Sequence, residues 1–266
     1  MLGGQRETTH QKDGNLNRHL LFLRRFLRAR AFGIDFAGTS YTRMPIKVRL
    51  AGAVRPVFAP DDPTLVHDVI NLWLDDEYGL GRVASPVQTV VDIGANIGLF
   101  SLFARHCFPT AKIHAYEPDP DVLTFTERNF EGLEIELHCE GVSHADGCAD
   151  MVRSGSSRVN QVQVAERGAV RLTSLRNVVA RAGGAVDLLK LDCEGFEWDI
   201  FEDERAFEAI RSIRMEYHLV GGRTVADLET IAPSLGYAIT HLRRDDGFGI
   251  AWMERKTAHP RVSAKR

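Results

Sequence analysis

The chain is short of cysteine in any useful arrangement. Cys107, Cys139, Cys148 and Cys193 form no C-x-x-C pair and no zinc-ligand spacing. That excludes a thioredoxin-like redox centre and a zinc ribbon, and it predicts reduced thiols, mostly core filler, in a cytoplasmic setting. Apolar runs of 18 residues are missing too, so no membrane-spanning helix is expected. The N-terminus shows no charged region followed by an apolar core and a small-residue cleavage site, hence no secretory signal is expected. Charge of one sign is also absent. Against 33 Lys and Arg stand 36 Asp and Glu, a net charge of −3, which gives no whole-molecule pull toward nucleic acid. No internal repeat is visible.

What is present is ordinary globular usage, 44% hydrophobic and 26% charged residues over 266 positions. This is enough for one α/β domain with extensions, with a core that needs no staples. The chain is organised around TVVDIGANIGLFSLFARHCFPTAKIHAYEP, Thr89 to Pro118. An apolar β-branched run, Val90, Val91 and Ile93, is interrupted only by Asp92. Gly94 and Gly98 bracket a tight turn, Leu99 to Phe103 opens a helix, and Lys112 to Tyr116 is a second strand ended by Glu117-Pro118. Strand, glycine turn, helix and strand with a terminal acid is the layout of a nucleoside-binding βαβ unit. Glycine is expected where a side chain would block a ligand's approach to the backbone. A carboxylate at the second strand's tip can accept hydrogen bonds from both hydroxyls of a ribose.

The spacing selects the nucleoside. From Asp92 the chain reads D-I-G-A-N-I-G, with Asn96 where a dinucleotide fingerprint needs its second glycine. That is not G-x-G-x-x-G. S-adenosyl-L-methionine carries a sulfonium and an amino acid in place of a pyrophosphate, so an acid beside the turn suits it better. Asp92 is expected at the methionine ammonium, directly or through water, and Glu117 at the ribose. Gly94, Ala95, Asn96, Gly98 and Pro118 complete the turn and the strand tip.

Taken in order, residues 1–43 read as a polar tail, expected without structure to about residue 15, and a basic amphipathic helix, Asn17 to Phe32. Leu20, Leu23, Leu27 and Ala31 share one face, and Arg18, Arg24, Arg25, Arg28 and Arg30 surround it. Such a helix packs on the body of the protein or on a dimer mate, or it lies on an anionic membrane as a peripheral contact or clasps an acidic partner. The first of these readings is preferred. Residues 44–86 read as a hairpin turning at Gly52 and a helix from Thr64 to Tyr78. Leu65, Val69, Leu72 and Trp73 face inward on that helix, Asp75, Asp76 and Glu77 form a solvated end, and Tyr78 borders a pocket. Residues 87–256 form the nucleoside-binding domain, and 257–266 a basic tail. Within the domain, Asp121 to Asn129 is a helix. Ile135 to Cys139 is a third strand ended by Gly141-Val142-Ser143, placing Val142 and Ser143 at an adenine edge. Asp146 to Val164 suits an exposed hairpin or mobile loop better than a helix, with Arg158 and Asn160 as candidate substrate contacts. A helix at Thr173 to Ala182 and a fourth strand at Val186 to Leu191 follow. Ser212 to Tyr217 is a fifth strand, Thr224 to Leu235 a helix, and the chain closes with an antiparallel pair at Tyr237 to Leu242 and Gly249 to Met253.

The second informative stretch is the turn after the fourth strand, Asp192-Cys193-Glu194-Gly195-Phe196-Glu197. With DIGANIGLFSL, YEP, DLLKLDCEGFE and MEYH in this order, the chain resembles the FkbM family of S-adenosylmethionine-dependent methyltransferases from about Val54 to about Met253. The helix VHDVINLWLDDEYG extends the likeness upstream. The resemblance implies an α/β fold of the Rossmann-like class I methyltransferase type. Its sheet is mostly parallel, with helices on both faces and a terminal antiparallel pair. It also implies O-methylation of a hydroxyl on a sugar or natural product. Two departures, Cys193 in place of a small aliphatic residue and RLTSLRNVV before the fourth strand, bear on the acceptor and not on the cofactor.

Ligands of an open α/β sheet gather at the strands' carboxyl ends. This rule places Asp192 and Glu194 beside Glu216 and His218. A hydroxyl becomes a nucleophile when a base removes its proton, worth about 10²–10⁴-fold. His218 or Asp192 is the expected base, since a histidine titrates near neutrality. In the alternative, Asp192, Glu194 and Glu216 hold a Mg²⁺-like ion that acidifies the hydroxyl. Metal-free catalysis is the first reading. The acceptor is a small hydroxylated molecule. A nucleic-acid amino-methyltransferase would carry a proline-aromatic turn where Asp192-Cys193-Glu194-Gly195 stands, and a regulator that only binds the cofactor would not need acids and a histidine at both later strand tips.

Overall fold

Strands whose side chains are apolar in both directions must be covered on both faces, and the central runs of this chain meet that condition. The computed structural model describes residues 8–35, 46–50, 52–62, 64–84, 86–152, 161–165 and 167–256. It opens with helix α1 (Thr8–Phe32) and the antiparallel hairpin of β1 (Ile46–Leu50) and β2 (Ala53–Val57). Helix α2 (Leu65–Val69) runs into a π-helical turn at Ile70–Leu74, and a 3-10 turn follows at Leu80–Arg82. The βαβ unit is β3 (Thr89–Ile93), α3 (Leu99–Cys107) and β4 (Lys112–Tyr116), continued by α4 (Pro120–Phe130) and β5 (Ile135–His138). Four short strands come next, β6 (Gly141–Ser143), β7 (Gly147–Val152), β8 (Gln161–Val164) and β9 (Val170–Ser174). The remainder is α5 (Leu175–Arg181), β10 (Val186–Leu191), α6 (Glu197–Ile200), α7 (Glu204–Phe207), β11 (Ile210–His218), α8 (Val225–Ser234), β12 (Tyr237–Arg244) and β13 (Phe248–Arg255).

The main sheet has seven strands in the order β12-β13-β11-β10-β3-β4-β5. β3, β4, β5, β10 and β11 run parallel, and β13 lies antiparallel between β11 and β12. From β3 the chain moves outward to β4 and β5, then returns to the other side of β3 at β10. The strand order therefore reverses between β3 and β10, and a crevice opens beyond their carboxyl ends. Alternate residues feed two cores. Val90, Ile113, Ala115 and Leu188 pack with α3, the hairpin and the π-helical turn. Val91, Ile93, Leu189, Leu191, Ile213 and Met215 pack with α5, α6, α7 and α8.

Several expectations are corrected. α1 begins at Thr8, so residues 8–15 are helical. Its leucines do not face the body: Leu20, Leu23 and Leu27 are 56%, 51% and 57% exposed. The segment 64–78 is not one α-helix, although Leu65, Val69, Leu72 and Trp73 are buried as its pattern requires. Its acids are not a solvated end. Asp75 pairs with Arg24 and Arg25, Asp76 accepts the Leu80 and Gly81 amides, and Glu77 pairs with Arg243. Gly141–Ser143 does not end the third strand. It is a strand of a second, four-stranded sheet, β6-β9-β7-β8, and Thr173 and Ser174, expected to open a helix, are the last two residues of β9. The exposed hairpin is β7 with β8. Arg158, Asn160, the first seven residues and the 257–266 tail lie outside the described residues.

Candidate active site

The glycine turn is held by the strand beside it. The amides of Gly94 and Ala95 both donate to the Tyr116 carbonyl, at 3.1 and 3.0 Å, so the turn rests on the tip of β4. Gly94 has φ of +74°, and a Cβ there would lie 1.8 Å from the Asp192 carbonyl oxygen. At Gly98, φ of +86°, a Cβ would lie 2.3 Å from the Phe130 ring. Both glycines thus serve strand and helix packing first, rather than only clearing space for a ligand. Asn96, at φ of +49°, closes the turn.

Glu117 stands at the tip of β4 with 7% of its surface exposed. Its carboxylate accepts the Asn96 amide at 2.7 Å and the Asp119 amide at 2.8 Å. Burial raises its pKa to about 7, against the lowering pull of those two amides. A cavity with about 1160 Å³ of empty space, counted to its open mouth, runs from Glu117 to the tips of β10 and β11. The turn residues Gly94, Ala95 and Asn96 line it, as do Pro118, Val142, Asp192, Glu194 and Glu216. Tyr78 and Glu77 also border it, the former as expected.

At the far end the walls are acidic. Asp192 accepts the Tyr78 hydroxyl at 3.2 Å and lies 3.4 Å from Lys190 Nζ. Lys190 is 3% exposed and donates to the Gly94 carbonyl at 2.5 Å, with Asp92 Oδ1 3.4 Å away. Burial pulls its pKa down, but the Asp192 and Asp92 carboxylates outweigh burial, so the ammonium stays charged. Beyond Asp192 the turn is strained: Glu194 has φ of +55° and Gly195 +103°. Glu197 pins it by accepting the Cys193 and Gly195 amides at 2.6 and 3.0 Å. The same carboxylate, fully buried, meets His218 Nδ1 at 3.3 Å, while His218 Nε2 faces Glu194 at 3.4 Å and Glu216 at 3.6 Å. Burial lowers the His218 pKa, but the hydrogen bond and charge of Glu197, with Glu194 and Asp192, raise it overall to about 9. Burial and the nearby Asp192 raise Glu216 to about 8.

Not every sequence-predicted residue reaches the cavity. Asp92 is fully buried, accepting the Ser101 hydroxyl at 2.7 Å and facing Lys190. It supports the turn from behind and does not line the cavity. Ser143 donates to Asp199 at 2.7 Å, which leaves Val142 as the member of that pair on the wall. Gly98 underlies the turn. His218 stands behind Glu194 and Glu216 and is not itself on the wall. Sequence reasoning missed Lys190, Glu197 and Glu77. A lysine among the leucines of β10 was a legible signal for the first; the pairing of Glu197 with His218 joins elements far apart in sequence and left none.

Among the described residues, two groups place ligand atoms within 4.8 Å of one another as a metal site would. One is Asp192, Glu194 and His218 at the cavity; the other is His114, Glu136 and His138 on β4 and β5. At the second, burial, with the charges of Lys112 and Arg181, holds the His114 pKa down despite Glu136.

A parallel α/β sheet with a glycine turn, an acid at the next strand tip and a cavity at the switch point defines a nucleoside-binding enzyme scaffold. Residues 92–239 match the family model described as the methyltransferase FkbM domain, and the chain belongs to that family. Among curated relatives it is similar to methyltransferase sdnD of Sordaria araneosa, 29% identical over 218 residues covering 66% of this chain and 83% of that one. Methyltransferase 1 of Beauveria bassiana is 25% identical over 186 residues, covering 59% and 74%. Among solved structures, a putative RNA methyltransferase from Pyrococcus horikoshii shares 12% identity, with 88% and 98% coverage and a TM-score of 0.45.

Proposed function

We propose that this methyltransferase moves a methyl group from S-adenosyl-L-methionine to a hydroxyl of a small sugar or natural product. The observation that carries the reading is Glu117. Its carboxylate is buried at the cavity wall, oriented by two backbone amides, at the place where a ribose would meet it. The donor set fits the cofactor: a carboxylate for hydroxyls at one end, and Glu194 and Glu216 toward a sulfonium and an ammonium at the other. The cofactor, when bound, supplies an electrophilic methyl whose C–S bond breaks as the acceptor's O–C bond forms.

The chain's own residues do the rest. The cavity walls orient the acceptor, and orientation alone is worth about 7–11 kcal/mol in favourable cases. Asp192, at the tip of β10 and fixed by Tyr78 and Lys190, takes the hydroxyl proton. His218, held by Glu197, orients Glu194 and Glu216 from behind. Asp192→Asn keeps an acceptor for Tyr78 and is expected to lower turnover by about 10²–10⁴-fold while S-adenosylhomocysteine affinity stays within a few-fold. A methyl-release assay beside calorimetry measures both, and near-normal turnover would remove Asp192 from the mechanism.

A second reading rests on the approach of Asp192, Glu194 and His218 within 4.8 Å. Glu216 borders the same place, and the group would hold a divalent ion that lowers the acceptor's pKa. Activity that is abolished by a chelator and restored by Mg²⁺ supports this reading; activity indifferent to both leaves metal-free proton removal.

A further inference from the structure

At 100° per residue, Leu20, Leu23 and Leu27 fall within an arc of about 60° on α1, with Phe26 beside them. All four are exposed, Leu27 by 57% and Leu20 by 56%. The opposite side of the helix is the one that docks. Arg25 and Arg24 pair with Asp75, and the Arg28 guanidinium donates to the Trp73 carbonyl at 3.1 and 3.2 Å. Ala29 is buried, and Phe32 meets Trp73 and Phe103 edge-on at 5.4 and 5.7 Å. Rotating the helix to hide its leucines would break all of these contacts. The stripe is therefore presented outward by construction.

We propose that α1 is an interfacial anchor that lays this stripe into the surface of an anionic membrane. Charge selects the occupant. Arg30 is exposed at one margin of the stripe, Arg24 at the other is held by Asp75, and residues 14–34 contain no Asp or Glu. Joining the stripes of two copies would place the Arg30 charges of both at the seam with no acid on the stretch to neutralise them. Anionic headgroups neutralise them directly, while leucine and phenylalanine enter the acyl boundary. No helix among the described residues is long and apolar enough to cross a membrane, so the geometry is that of a helix lying on the surface. The element that receives α1 also contributes Asn71 and Leu72 to the cavity wall, which ties the anchored face to the active site.

Flotation of the full chain with phosphatidylcholine vesicles, with and without phosphatidylserine, tests the proposal. Binding is expected to the phosphatidylserine vesicles only, and to weaken as salt is raised. Leu23→Glu with Leu27→Glu should abolish flotation while the melting temperature holds, because both side chains are already exposed. Arg24 also anchors the helix, so Arg30→Glu is the cleaner charge test; it should weaken binding roughly fivefold or more, the scale of one basic residue near an anionic surface. Failure of the wild-type chain to float at low salt overturns the proposal, as does flotation unaffected by the leucine substitutions. A dimer in light scattering that those substitutions dissolve, without vesicle binding, would assign the stripe to a second copy instead.

Discussion

Glu197 shows how one side chain can organise a site it does not line. It accepts two amides of the strained turn that carries Glu194 and it fixes the His218 ring. A glutamine there keeps one oxygen and turns an NH2 toward the other amide, leaving that amide unsatisfied at about 1–3 kcal/mol. Glu197→Gln is therefore expected to lower turnover by tenfold or more, with cofactor affinity little changed. The His218 pKa should also fall below about 9, because the carboxylate charge that raises it is gone. Histidine NMR titration checks the second effect, and an unmoved pKa would show that Glu197 does not control the ring. At this scale the sequence was readable where chemistry is local. Glu117 and Asp192 sit at strand tips and line the cavity as the motif order required. Asp92, inside the buried strand, meets Ser101 and Lys190 behind the turn and does not line the cavity.

At the scale of elements, the glycine turn joins β3, β4 and β10. Gly94→Ala combines a φ of +74° with a Cβ 1.8 Å from the Asp192 carbonyl. Since backbone atoms block it on a rigid strand end, the substitution should cost more than about 3 kcal/mol. Chemical denaturation measures this, and a loss below 1 kcal/mol would mean the turn relaxes freely. Periodicity revealed the five parallel strands and the antiparallel pair, since each must bury apolar side chains in a fixed pattern. Beyond the β7–β8 hairpin it did not reveal the second sheet, because β6 and β9 are short and pair across an interval that local pattern cannot see. Nor did it orient α1. An amphipathic pattern says which residues are apolar, and tertiary ion pairs at Asp75 decided which side faces the body.

Across the whole molecule, the site stores proton affinity. Burial holds Glu117 at about 7 and, with Asp192, Glu216 at about 8; His218, despite burial, is held by Glu197 at about 9. Each binds its proton more tightly folded than unfolded, where carboxyls titrate near 4.5 and imidazole near 6.5. Their stabilising contribution is complete below those unfolded values and is lost as pH rises through 7, 8 and 9. Cofactor-free, chelator-treated protein should therefore lose several degrees of melting temperature, about 5 °C, between pH 6.5 and 9. His218→Gln should flatten that decline. A melting temperature that rises over the same interval would contradict the charge arrangement described.

The account stands on where the cofactor sits, and a crystal structure of the protein with S-adenosylhomocysteine tests that directly. The account predicts both ribose hydroxyls within hydrogen-bonding distance of the Glu117 carboxylate and the sulfur turned toward Asp192. A nucleoside bound elsewhere, or one whose ribose leaves Glu117 untouched, would contradict it.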